Sequence, residues 1–171
     1  MLLWKSISEL TVGKLFVNIR ANSGALAAKE VNVVAPLNLA SSAETLTEAR
    51  TLVAAESGKT LFLNAAAEFV TTLPLPQAGL KFTFVVTGAP VGANYTIFTS
   101  GGANIIKGAV YSSDLNAAGD ADIETSGGDT ITFVASAAVA GDKVELVCDG
   151  TNWFAAGFCT LVTGITITTA A

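Results

Sequence analysis

From about position 45 onward, short apolar runs rich in β-branched and aromatic residues alternate with clusters of turn-forming residues. Thr60-Leu61-Phe62-Leu63-Asn64 follows Glu56-Ser57-Gly58, and Glu68 to Leu73 ends at Pro74-Leu75-Pro76. Proline has no amide hydrogen to give to a ladder, so that strand stops there. Leu80-Lys81-Phe82-Thr83-Phe84-Val85-Val86 stops at Gly88-Ala89-Pro90, and Asn94 to Thr99 stops at Ser100-Gly101-Gly102. Further runs cover Ala103–Val110, Thr130–Val134, Lys143–Cys148, Trp153–Phe158 and Gly164–Thr169. Asp149-Gly150 between two of these runs predicts a two-residue hairpin turn, because both residue types tolerate positive φ.

So many short runs at close intervals predict an all-β fold: an antiparallel β-sandwich or jelly-roll-like domain over residues 45–171. Residues 1–44 differ. They hold short apolar runs (Leu15-Phe16-Val17, Val31-Asn32-Val33-Val34) between polar breaks, with no sustained period. That segment reads either as a first strand or two or as an extended N-terminal arm that folds against a neighbour. Ser41-Ser42-Ala43-Glu44 has capping-box spacing ahead of Thr45 to Ala55, although the same stretch fits a strand equally well.

Composition narrows the function classes. Of the 171 residues, 51% are hydrophobic and only 13% charged, against about 25% charged in an average soluble domain. Few charges remain to cover the outside, so some apolar surface is expected to meet a partner. The net charge is −5, and the nine Lys and Arg form no run that could track a phosphate backbone, which argues against nucleic acid. There is no histidine, hence neither the commonest general base nor the commonest metal ligand. No apolar run approaches the ~20 residues of a membrane-spanning helix, and the N-terminus lacks signal-peptide organisation. The expectation is a protein made in a cytoplasm, with no membrane partner.

Several features could carry chemistry, and each has a plainer reading. Ser57-Gly58-Lys59-Thr60 resembles the end of a phosphate loop, but the required upstream glycine is Val53 and no helix follows; a β-turn fits better. Asp120, Asp122 and Glu124 alternate, which on a strand would aim three carboxylates one way and suit a hard cation. Counting from Asp120 or from Asp114 fails the EF-hand pattern, and a solvated loop is the favoured reading. With the hairpin turning at Asp149-Gly150, Cys148 would face Thr151, out of register with Cys159; two buried free thiols are expected. Trp153 beside Phe154 and Phe158 reads as core or interface packing ahead of a stacking platform. Asn94-Tyr95-Thr96 matches a glycosylation acceptor, which means little without a secretory signal. A serine nucleophile lacks a base, since no Ser-x-x-Lys occurs. No catalytic, metal-binding or cofactor-binding residue is assigned; Asp120 and Glu124 would be the least poor pair for a two-carboxylate hydrolase.

The run from Thr51 through Glu56-Ser57-Gly58-Lys59-Thr60-Leu61-Phe62-Leu63-Asn64, Val70-Thr71-Thr72-Leu73-Pro74 and Gly79-Leu80-Lys81-Phe82-Thr83-Phe84 resembles a module of small structural proteins of tailed phages. Gly128-Asp129-Thr130-Ile131-Thr132-Phe133-Val134, Gly141-Asp142-Lys143-Val144-Glu145-Leu146-Val147 and Asp149-Gly150-Thr151-Asn152-Trp153-Phe154 resemble its closing part. The likeness covers about the last two-thirds of the chain and stops short of residues 1–44. It implies a β-rich unit, commonly a homotrimer, of the kind found in capsid decoration (cement) proteins and tail-associated proteins. The expected partner is then the major capsid protein and the expected location the outer capsid surface of a virion. A tail-fibre or receptor-binding module is the alternative, with a groove lined by Trp153, Tyr95 or Tyr111.

Overall fold

A computed structural model of the chain describes residues 42–65, 67, 69–113 and 121–169, all within the compact unit Asn38–Ala171. The arm or first strands expected over residues 1–44 therefore lie almost wholly outside the described residues. Where that segment ends, Ala43–Leu46 is already a strand, so an element crosses the expected boundary.

Twelve strands are described: β1 (Ala43–Leu46), β2 (Arg50–Thr51), β3 (Thr60–Leu63), β4 (Phe69–Thr72), β5 (Lys81–Val86), β6 (Tyr95–Phe98), β7 (Ile106–Ser112), β8 (Ala121–Gly128), β9 (Thr130–Phe133), β10 (Lys143–Cys148), β11 (Trp153–Cys159) and β12 (Ile165–Thr168). The fold is all-β, as the pattern of short runs implies. One sheet has seven strands in the order β1-β3-β5-β10-β11-β7-β8, and the other five in the order β12-β9-β6-β4-β2. In the region where a capping box allowed a helix, the chain forms β1, β2 and a single 3₁₀ turn, Ala54–Glu56.

Pairing is mixed, where the pattern of short runs predicts antiparallel strands. Among the described pairings β1–β3, β3–β5, β2–β4, β4–β6 and β7–β11 are parallel. From β1 to β6 the chain alternates between sheets, and each strand lies parallel to the one laid down two elements earlier. A parallel pair needs a crossover rather than a tight turn; here a strand in the opposite sheet provides it. The Pro74-Leu75-Pro76 and Gly88-Ala89-Pro90 breaks thus carry the chain between sheets instead of reversing it within one.

Alternation along each strand supplies the core. Leu61 and Leu63, Phe82, Phe84 and Val86, Val144 and Leu146, and Trp153 come from the larger sheet. Phe69, Tyr95, Ile97, Ile131, Phe133 and Ile165 come from the smaller one, and all belong to a single buried cluster. Burying each such side chain stabilises the fold by about 1.5–3 kcal/mol. At β7 the bulge between Ile106 and Gly108 needs glycine, since Gly108 has φ 141° and a Cβ there would lie 1.9 Å from the Ala155 carbonyl oxygen.

Polar side chains stitch the two sheets at both edges. At one edge Glu44 of β1 and Glu56 share Arg50 of β2, and Lys59 Nζ reaches Glu44 at 2.8 Å and Glu56 at 2.9 Å. At the other, Asp122 of β8 accepts the Ile167 N–H of β12 at 2.5 Å. Within the fold, the buried Tyr95 hydroxyl accepts the Ala65 N–H (2.8 Å) and lies 2.6 Å from the Ala65 carbonyl and 2.8 Å from that of Gly88, to which it can donate its one proton.

The β10–β11 hairpin turns differently from the expected two-residue form. Cys148 pairs with Trp153, leaving four residues, Asp149 to Asn152, in the loop. Asp149 Oδ1 accepts the N–H groups of Thr151 and Asn152, both at 2.7 Å, so the aspartate builds a wider turn with its own side chain. These bonds hold the Asp149 carboxyl below its ordinary range.

Candidate functional site

Alternation that sends one set of residues inward sends the other set onto the outer face of the seven-stranded sheet. Residues paired in register share a face, so that face can be read row by row. One row runs Phe62, Val85, Lys143, Phe158, Tyr111, Ala121 from β3 to β8. The next runs Thr60, Thr83, Glu145, Ala156, Ala109, Ile123, and the third runs Lys81, Val147, Phe154, Lys107 from β5 to β7. Tyr111 is 57% exposed, Ile123 62%, and Val147, Phe154 and Phe158 about half exposed. These five share one solvent-facing face as two register pairs, Val147–Phe154 and Phe158–Tyr111, with Ala156, Ala109 and Ile123 in the row between them.

Charge on this face has the opposite sign to the chain as a whole. Lys81, Lys107 and Lys143 occupy strand positions here, against one acid, Glu145, whose carboxylate is 3.6 Å from Lys143 Nζ. Three positive and one negative charge leave +2 on the three rows, on a chain of net −5. The other two cations of residues 42–169, Arg50 and Lys59, are paired with Glu44 and Glu56 at the β1 edge. There the hydrogen bond from Lys59 holds the Glu44 carboxyl below its ordinary value. Burial pushes the Glu56 carboxyl up, but Lys59, the Val53 N–H and Arg50 outweigh it and the net shift is downward. Glu44 and Glu56 together raise Lys59. Two shallow hollows flank this cluster, one lined by residues including Ser42, Ser57 and Lys59, the other including Thr45, Glu48 and Arg50.

The motifs that hinted at chemistry resolve into structure. Ser57-Gly58-Lys59-Thr60 is a turn entering β3, with Gly58 at φ 91° and Lys59 engaged by the two glutamates. Asp120 and Asp114 lie outside the described residues. Asp122 and Glu124 stand on β8, an eight-residue strand in place of the solvated loop expected from the sequence. They do not form a free carboxylate pair: Asp122 is bonded to β12, and Glu124 Oε1 accepts the N–H groups of Ser126 (2.7 Å) and Gly127 (2.8 Å) on its own strand. Polar positions on both sides of Ile123 hid this strand from a hydrophobicity pattern. Among the described residues, no three His, Cys, Asp or Glu side chains converge as a metal-ligand set.

Cys148 and Cys159 are both buried and unbridged, and burial raises the Cys159 thiol above its ordinary value. Trp153 and Tyr95 are essentially fully buried, so of the three residues expected to line a ligand groove only Tyr111 is exposed. In Asn94-Tyr95-Thr96 the Asn94 Oδ1 is occupied by the Ala135 N–H at 2.7 Å. Trp153, Phe154 and Phe158 divide by parity, the indole into the core and both phenyl rings outward. Lys81, Lys107, Lys143, Val147 and Ile123 were not singled out in the sequence. Parity within Lys143-Val144-Glu145-Leu146-Val147 does place Lys143 and Val147 on one side. Only the register shows that Phe154, Phe158 and Tyr111 lie beside them.

No helix among the described residues is long and apolar enough to cross a membrane. Comparison of the chain with family models, curated proteins and solved structures gave no match.

Proposed function

We propose that the chain is a structural component of a virus particle: a capsid decoration protein that binds the outer surface of the major capsid protein lattice and stabilises the shell. The observation that carries the reading is the apolar outer face of the seven-stranded sheet, which Tyr111, Ile123, Val147, Phe154 and Phe158 share, each about half exposed. Such a face contributes most when another protein covers it. The low charge content and the lack of histidine point to the same class, as does the engagement of Asp122 and Glu124 in backbone bonds.

In this mechanism, protomers associate by cyclic symmetry, a homotrimer in the simplest case, and dock across neighbouring capsid subunits. The protein is made in the host cytoplasm and ends on the virion exterior. Each interface of roughly 1,000–2,000 Å² adds free energy that capsid disruption must overcome. No cofactor, catalytic step, nucleic acid or membrane enters the mechanism.

The test is to heat capsids stripped of the protein and capsids replenished with it, following genome release by dye accessibility. A higher release temperature for replenished shells is expected. Equal temperatures at saturating occupancy would refute the stabilising role.

A further inference from the structure

The outer face of the larger sheet also carries information about what it binds. Lysines stand within the same rows as the exposed rings: Lys81 and Lys107 bracket Val147 and Phe154, and Lys143 adjoins Phe158. We infer that this face docks onto a protein surface of complementary build, with protruding apolar side chains at its centre and Asp or Glu carboxylates around them. This rests on the proposed function and specifies the chemistry of the capsid surface that the chain would recognise.

Charge decides among the occupants. A second copy laid face to face would set +2 against +2, with one Glu145 per copy to meet three lysines, which opposes an isologous pair. Anionic lipid is recognised by clusters of about four to eight basic residues, and three are present. For single-stranded nucleic acid, bases stack in succession on aromatic side chains along a basic groove. Phe154 and Phe158 are four residues apart on one strand, hence about 13 Å apart, and Lys107 and Lys143 lie in separate rows. Aromatic anchors with charges held to the rim are the anatomy of a protein interface, and Lys81 and Lys107 lie at the two ends of the row that holds Val147 and Phe154.

The face is of interface size. With roughly half of each exposed, the five apolar side chains offer on the order of 500 Å². About 800 Å² per partner is usual for a stable complex, somewhat over half of it apolar. One contact would therefore be of ordinary size, and several copies on a repeating lattice would add avidity. Lysines on the face would speed encounter and make it salt-dependent, while the rings set the lifetime of the complex.

The experiment measures binding of the full-length protein to stripped capsids at low and at raised salt. Two full-length variants accompany it, K81E/K107E/K143E and F154S/F158S, with far-UV circular dichroism and urea midpoints confirming that these exposed changes leave the fold intact. The parent should bind, and more weakly as salt rises. The charge-reversed variant should lose at least tenfold in affinity at low salt, and the phenylalanine variant a comparable factor at both salts. If the parent binds but both variants match it, the inference falls and the capsid reading stands. A parent that does not bind capsids at all removes both. Phosphatidylserine vesicles and a poly-dT oligonucleotide serve as competing probes. Binding to either that is as tight as to capsids, and lost in the same variants, would overturn the assignment to an acidic protein surface.

Discussion

Asp142 offers the sharpest test of how this fold is held. Its side chain is wholly buried, yet each oxygen is matched. Oδ1 accepts the Thr160 N–H at 2.8 Å and the Thr160 hydroxyl at 3.0 Å, and Oδ2 accepts the Val139 N–H at 2.9 Å. The carboxylate thus pins the loop before β10 to the residue that follows β11. Replacing Asp142 with alanine removes all three acceptor contacts at once. A hydrogen bond to a charged group contributes about 1.5–3 kcal/mol, and contacts sharing one carboxylate do not add fully. Thr160 is itself exposed, so water can reach part of what is lost. The expected cost is about 2–4 kcal/mol, a large share of the ~5–15 kcal/mol that holds a typical domain. Asn at the same position keeps one acceptor oxygen for Thr160 but turns an NH₂ toward the Val139 N–H, donor against donor. It should cost roughly half as much as alanine. Urea unfolding followed by the fluorescence of the buried Trp153 measures all three proteins, with a constant m-value confirming that the same transition is compared. An alanine variant within 0.5 kcal/mol of the parent, or an asparagine variant as damaged as the alanine one, would refute the reasoning.

Two further predictions concern stability. Thr71 is fully buried and its Oγ1 has no partner, so the isosteric Thr71→Val should raise the unfolding free energy by about 1 kcal/mol; a lower urea midpoint would mean that the hydroxyl is satisfied. The ion cluster at the β1 edge predicts a pH dependence. Glu44 and Glu56 are depressed in the folded state, so their stabilisation is present above the ordinary carboxylate range and is lost as pH falls through the folded values. Lys59 is raised, so its contribution is present below the ordinary lysine range and lost only as pH climbs through the raised value. The cluster is partly exposed and the effect is screened, about 1 kcal/mol or less. Subtracting the pH–stability curve of Glu56→Gln from that of the parent isolates it, and parallel curves from neutral pH down to the acid limb would contradict the assignment.

The sequence by itself determined the class of the fold and the position of most strands. Period-two alternation and β-branched composition are local properties, so Thr60–Leu63, Lys81–Val86 and Lys143–Cys148 could be read where they stand. It also determined that no histidine chemistry is available to the chain. Tertiary structure alone decided which strands are neighbours. Whether Pro74-Leu75-Pro76 reverses the chain or carries it into the opposite sheet depends on partners distant in sequence, and with it the parallel stacking of β1, β3 and β5. β8 was missed because Asp122 and Glu124 face toward β12, where the Ile167 N–H takes up one carboxylate and the strand's own backbone the other. The candidate docking face was hidden for the same reason. Phe154, Tyr111 and Lys81 are far apart along the chain, and only the register of β5, β10, β11 and β7 sets their side chains on one surface.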